Sequence, residues 1–572
     1  MTSIAEKPKK APKLNKATTN AKSKSNKKTS LIEMLGRPKH SPLLWSLPES
    51  KQSSPQAIIV DRLYREKKSN DRRELIAGVL DSPKDHAIQA HNSVDILAVL
   101  ATVHLFSDRP KLISDFEATG QIDRLYQLVD SYEFDLQFDP LLFQLAHVEL
   151  PLSVSIGMRA RSSKVWRESG LANLHECVAE LLDGNGWPEG RVLQHFGMLA
   201  ASWTRCHRLL QSQSIDLGVE AIEQLEWMVR QFMRLLRHDG SLMLNDPGSG
   251  ISHKAFGDML LELSDDKHDR KLSKTCFPKS KPPKKLATSF PEEFDLSEWA
   301  QVAAMRSSWN RKCSRLAVDF HGERMRMEIA NSKTLILGDC TPDISINGKP
   351  LTCNDVIEAV CTNRETDLDY LELDLNYGDV TVQRQIVFNR TDQFLFMADV
   401  VMPTEAARID YQCQFPIGPA VESMAESETT EYYLKSDKFQ ALLLPLSLPE
   451  WKSERTDDRF TFENGKFQLT QSIVGKGLCA ALFIDLSPKR CVKPRTWRRL
   501  TVAEKLQIVG QDEAAAFRVQ VGKQQWLFYR AIGDAQNRTF LGENFASEFF
   551  VGAMDRDGKV TSLMEVESED WD

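Results

Sequence analysis

The chain has 572 residues, 41% hydrophobic and 27% charged, with a formal net charge of −7. That length allows two or three domains, and the balance is ordinary for a globular protein, which excludes fibrous and wholly disordered classes. No apolar run approaches the roughly 18–20 residues that a bilayer-spanning helix needs, so no membrane span is expected. The ten cysteines are scattered without a CxxC pair. They offer neither a zinc spacing nor a thioredoxin-type motif and read as reduced, mostly buried thiols.

The first 28 residues carry nine lysines against one acid, Glu6, a local charge of +8 that leaves −15 for the remainder. A Lys/Ala/Ser/Asn/Thr segment without aromatics cannot bury enough surface to offset its ordering entropy, so residues 1–30 read as a disordered tail. Nucleic acid is expected as a partner only through this tail, by counterion release. With no aromatics among the lysines, a solubilising role is the simpler reading. The same segment has no apolar h-region, which predicts a cytoplasmic location.

Helix signals then dominate 31–264. Residues 92–106 (NSVDILAVLATVHLF) have an Asn N-cap and an apolar stripe, and 120–132 repeat the pattern with Ile122, Leu125, Leu128 and Val129. Residues 162–182, 191–210 and 217–236 follow, separated by short Gly-bearing or polar loops, as in antiparallel helical hairpins. Lysine, proline and polar residues fill 265–291, no periodicity survives there, and 265–297 read as a linker or exposed loop. From 298 to 567 the period falls to two, in runs such as RLAVDF, YLELDLNY, VTVQRQIVF and LCAALFIDL, with turns such as NGK and DRDGK between them. About 14 short strands predict a large antiparallel β-super-sandwich behind an all-α domain.

Several segments carry a resemblance to a known family. They are Glu149-Leu150-Pro151-Leu152, the block from Leu182 through Asp183, Asn185 and Trp187 to Arg191, Ser202-Trp203-Thr204-Arg205-Cys206, and Asp239-Gly240-Ser241-Leu242. In the strand-rich half they are Met305-Arg306-Ser307 and Arg384-Gln385-Ile386 leading to 394–399. The chain resembles the heparinase II/III-like polysaccharide lyases over roughly 140–565. The resemblance implies an incomplete α/α-toroid of helical hairpins and a β-super-sandwich, with a cleft between them that takes an acidic, uronate-containing polysaccharide and cleaves it by β-elimination. That chemistry neutralises the uronate carboxylate, removes the α-proton with a base and protonates the leaving oxygen.

The family's better-known members use histidine and tyrosine, with an HxHxD-like motif in the sheet domain beside which a metal can sit. This chain departs from that pattern. His321 is the only histidine after His268, and no tyrosine lies between Tyr132 and Tyr370. No metal or other cofactor is expected, and the fold serves either a diverged lyase or a non-catalytic glycan-binding or scaffold protein.

The candidate catalytic residues are His195, His321 and Arg191. The candidate substrate-binding residues are Glu149, Asp183, Asn185, Trp187, Trp203, Arg205, Arg306 and Arg324. Each has a plainer alternative. Glu149 caps a helix start or offers a cleft carboxylate. Asp183 and Asn185 make a Gly-rich turn or line a cleft rim. Arg191 presents its planar fork to a sugar carboxylate or sulfate, or pairs at the surface. If 191–210 is one α-helix, His195 and Arg205 flank one face, and neither pair His195/Arg205 nor His195/His207 has a metal spacing. Trp187 and Trp203 stack on sugar rings or pack in the core. Arg324, with Arg306, Asp319, Arg326 and His321, forms an anion-binding strand face or a solvated one. His238 and Arg237 suit a helix C-terminus before the turn at Asp239-Gly240.

Overall fold

The computed structural model describes residues 29–65, 69–81, 92–158, 161–245, 254–264, 266–278, 290–353, 356–533 and 535–567. The expected lysine-rich tail, as far as residue 28, lies outside the described residues. Ser30 is buried as the N-cap of Leu31–Met34, with Glu33 completing a capping box.

The N-terminal half is helical and the C-terminal half is antiparallel sheet, an α-toroid followed by a β-sandwich. The helix expected at 92–106 is Ser93–Asp108, where Asn92 accepts from the Val94 N–H and Asp95 closes the capping box. It is buried nearly all round, as its continuous Val/Leu/Ala run requires. Gln121–Ser131 buries one stripe, through Ile122, Leu125 and Val129, and Val219–Arg234 buries the stripe Ala221, Leu225, Met228, Val229 and Phe232 and, in its last turn, Gln231, Met233 and Arg234 as well. Ser163–Leu181 is the long helix expected at 162–182.

Two helical expectations change. The block 191–210 is not a single α-helix: Gly190–His195 is a 3-10 turn, and the α-helix Phe196–Ser212 begins after it. The rise of a 3-10 turn is about 2 Å per residue, so the α-helical phase between His195 and Arg205 does not apply. The segment 265–297 also holds structure. Helix Lys267–Cys276 buries Asp269, Leu272, Ser273 and Cys276, spaced i, i+3, i+4, i+7. Half of that stripe is polar, which hides its period from a hydrophobicity reading. Asp266 caps the helix, and Arg230 ties Asp266 and Asp269 to the preceding helical layer at 2.5 and 2.9 Å.

Sheet begins with strand Phe294–Ser297, ahead of the expected start at 298. The described residues from there on form five antiparallel sheets. In the first, Val302–Arg306, Arg315–Asp319 and Arg326–Ala330 are buried on both faces. Alternation sends Val302, Ala304, Ala317 and Ala330 into the helical core, and Ala303, Met305, Leu316, Val318, Met327 and Ile329 into the sandwich. An eight-stranded sheet follows, with Leu371, Leu373 and Ile386 toward the first sheet and Tyr370, Val387 and Phe396 toward a third layer. Behind that layer a last small sheet closes over Tyr529, Phe540 and Phe545. The described residues contain 27 strands rather than about 14, because many are two- to five-residue pieces too short to show alternation.

The first sheet is therefore the joint of the molecule. Arg237 donates twice to Glu328, at 2.5 and 2.8 Å, and Glu328 also accepts from the Leu244 N–H. Ser297 donates to Asp183 at 2.6 Å, and Arg234 pairs with Asp295 at 3.2 Å. Arg306 caps the C-terminus of Val219–Arg234 through the Met233 and Arg234 carbonyls.

Candidate functional site at the junction of the two domains

The loop Asp183–Glu189 carries the chain from Ser163–Leu181 to the junction. Asp183 accepts from the Asn185 and Trp187 N–H groups, both at 2.8 Å, and closes the turn. Gly186, at φ 74, lies where a Cβ would meet the Met228 nitrogen at 2.1 Å, so only glycine fits the turn against Val219–Arg234. The turn delivers Gly190 to the sandwich, where its N–H donates to the Ala300 carbonyl at 3.0 Å. A Cβ on Gly190 would sit 2.3 Å from the His321 Cβ.

Arg191 and His195 lie on the 3-10 turn that starts there. Both line a cavity of about 410 Å³ with Lys51, Asn92, Phe138 and Asp139. Phe138 is 83% exposed, an aromatic ring offered to solvent beside two basic side chains. Arg191 is held in place: its Nε donates to Glu189 at 2.5 Å, and its Nη1 donates to the Leu136 carbonyl at 3.1 Å and to that of Gln137. Its role is to fix the turn and rim, with part of its charge offset by Glu189. Lys51, on the helix Glu49–Gln52, brings a second cation.

His321 stands at the other end of this turn, against Gly190, and does not line the cavity. Five residues of 3-10 rise put His195 on the order of 10 Å farther along. The candidate catalytic set thus divides, with Arg191 and His195 together and His321 apart. Asp319, buried beside His321, accepts from the His321 N–H at 3.2 Å and faces Arg326 at 3.7 Å. Burial pushes its carboxyl up to about 6, against the opposing pull of that N–H and of Arg326. The ring Nδ1 of His321 is buried without a hydrogen-bond partner. Among the described residues no group of three or more His, Cys, Asp or Glu side chains is placed to hold a metal ion. His321 with Asp319 does not supply the ligand set that the family's metal would require.

Most of the expected substrate-binding residues are internal. Glu149 lies at the end of the π-helical turn Gln144–Glu149, not in a loop. It is fully buried and takes both nitrogens of a bidentate Arg205 at 2.6 and 2.7 Å, with Ser202 donating at 2.6 Å. Neither side chain of this pair reaches a cleft. Trp203 is fully buried and donates to Gln144, and Trp187 is fully buried and donates to Asp295, so neither ring has a face left for a sugar. Arg306 is committed to its helix carbonyls and stacks on Trp309 at 4.8 Å. The side chain of Asp183 is taken by the turn and by Ser297. Asn185 is exposed on the turn, where its carbonyl accepts from Gln231. Arg324 is 80% exposed and pairs with Asp339 at 3.0 Å on a separate face of the sandwich. Phe138 and Lys51 escaped the sequence reading because an isolated exposed Phe and a lone Lys carry no periodic signal.

The helical toroid with stacked antiparallel sheets behind it is the architecture of a group of polysaccharide lyases. The chain is similar in structure to heparinase III, with a TM-score of 0.60 at 10% identity, covering 83% of this chain and 82% of that one. It is also similar to a mutant of heparan sulfate lyase HepC from Pedobacter heparinus, with a TM-score of 0.50 at 9% identity, covering 84% and 82%. At such identities the likeness is one of fold. No family model and no curated protein matches the sequence. Among the described residues no helix is long and apolar enough to cross a membrane.

Proposed function

We propose that the chain acts on an acidic, uronate-containing polysaccharide held in the groove beside Gly190–His195. The observation that carries this reading is the solvent-facing Phe138 ring in one cavity with Lys51, Arg191 and His195. An aromatic face with flanking cations suits a sugar ring bearing a carboxylate or sulfate. The neighbours named heparinase III and heparan sulfate lyase support the same substrate class.

In a β-elimination at this groove, Lys51 and the Arg191 rim offset the uronate carboxylate and acidify the α-proton. The His195 imidazole takes that proton, and the electron pair left on carbon forms the new double bond. The glycosidic C–O bond breaks, and the leaving oxygen takes a proton from water. A second reading, glycan binding without cleavage, is favoured by the engagement of Arg191 with Glu189 and by the lack of any tyrosine between Tyr132 and Tyr370.

Incubation with heparan sulfate and other uronate polymers, following ultraviolet absorbance of the unsaturated product alongside direct binding, separates the two readings. Turnover lost in His195→Ala supports the lyase; saturable binding without turnover supports the binder. Neither binding nor turnover across the panel rejects both.

A further inference from the structure

A larger cavity, about 600 Å³, lies behind the same joint and is not part of the groove. Arg237, His238 and Asp239 reach it from the end of the helical domain, and Lys312 and Lys333 from two loops that connect strands of the first sheet. It opens at the end of that sheet where Arg315 pairs with Ala330, whereas His321 lies beyond the end where Asp319 pairs with Arg326. Four residues of strand separate the two ends by roughly 13 Å.

Its lining carries three cations, Arg237, Lys312 and Lys333, against one carboxylate, Asp239. Arg237 is neutralised by Glu328. The Asp239 carboxylate accepts from the N–H and the hydroxyl of Ser241, at 2.9 and 2.6 Å. Lys312 and Lys333 form no ion pair with any described residue, and both side chains are exposed at the mouth. Arg315, buried beneath, donates to the carbonyls of Arg311, Cys313 and Asn331 and has no carboxylate partner. Burial, with further lowering by the neighbouring Arg311, Arg315 and Lys312, depresses the His238 pKa. One buried ring nitrogen of the lining, the Nε2 of His238, has no hydrogen-bond partner, and the Nε of Arg315, outside the lining, has none either. A buried ring N–H without a partner, beside two unpaired lysines, is what an oxyanion would satisfy. The apolar walls, Leu486, Pro488 and Pro419 among them, and a volume well above that of a free sulfate suit an anion carried on a sugar-sized body.

We propose that this cavity is a second ligand site, taking the carboxylate or sulfate of a small organic anion of mono- to disaccharide size through Lys312, Lys333 and His238. It rests on the two unpaired lysines and the orphaned His238 nitrogen of the cavity, not on the groove at Gly190–His195. Isothermal titration of the full chain with a sulfated uronate disaccharide, glucuronate and inorganic sulfate tests it. We expect one saturable site for the disaccharide, weaker binding of the two smaller probes, and at least a tenfold loss in the double variant Lys312→Gln/Lys333→Gln with an unchanged thermal midpoint. Phe138→Ala should leave this site intact. Tighter binding of inorganic sulfate than of the disaccharide would overturn the assignment of size. No saturable disaccharide binding, or binding kept in the lysine variant and lost in Phe138→Ala, would overturn the site itself. Long-polymer binding at the groove can succeed or fail independently.

Discussion

Gly190 and His321 are in van der Waals contact across the domain joint, so close that a single added methyl on Gly190 would lie 2.3 Å from the His321 Cβ. The contact fixes the turn that carries Arg191 and His195 relative to the first sheet. Gly190→Ala forces the turn away from the sandwich and should destabilise the protein by about 1–3 kcal/mol, the range for overpacking a filled interior. Thermal unfolding checks this, and adding His321→Gly should return most of the loss. A Gly190→Ala protein as stable as wild type would show that the joint yields.

The Glu149–Arg205 pair makes a different prediction. Both side chains are out of solvent, and His104 nearby is pushed down to about 3 by burial and by Arg205. Removing one partner, as in Arg205→Met, leaves an unpaired buried carboxylate and should cost about 3–5 kcal/mol. Replacing both with apolar residues of similar volume should cost much less. Urea unfolding followed by helical circular dichroism measures both, and equal losses in the single and double variants would contradict the account.

Asp319 makes stability depend on pH. Its carboxyl lies at about 6 in the folded protein against 3.8 ordinarily, because burial penalises the charge. The folded state therefore holds this proton more tightly than the unfolded chain. Its contribution is full below the unfolded value and is lost as pH rises through about 6. Asp319→Asn keeps an oxygen for the His321 N–H and removes the charge. It should stabilise the protein by up to roughly 3 kcal/mol at about pH 7 and by little at about pH 4. Denaturant midpoints at the two pH values decide, and an equal gain at both would rule out titration of Asp319 as the cause.

The fold was legible in this sequence because its periods are clean. The Asn92 cap and the stripe Ile122/Leu125/Val129 each depend on local geometry, and the structure realises them. The helix Lys267–Cys276 was not legible, since Asp269 and Ser273 occupy core positions: Arg230 and Ser264, outside the helix, hold Asp269, and the Ser273 hydroxyl donates to the Arg270 carbonyl. The site was legible only in part. Arg191 and His195 were singled out and do share a cavity, but Trp187, Trp203, Glu149 and Arg205 have the chemistry of a sugar site and the burial of a core. Residue type reports what a side chain can bind, not whether tertiary packing leaves it exposed. Phe138 shows the converse: an ordinary core residue by type that stands in solvent.

The groove is tested most directly by titrating wild type and Phe138→Ala with a long heparan sulfate chain under identical salt. Phe138 is almost fully exposed, so the substitution should leave the thermal midpoint unchanged, and loss of stacking should weaken binding by about 1–2 kcal/mol, roughly five- to thirtyfold. Equal affinity of the two proteins, or no affinity in either, would contradict the placement of an acidic polysaccharide beside Gly190–His195.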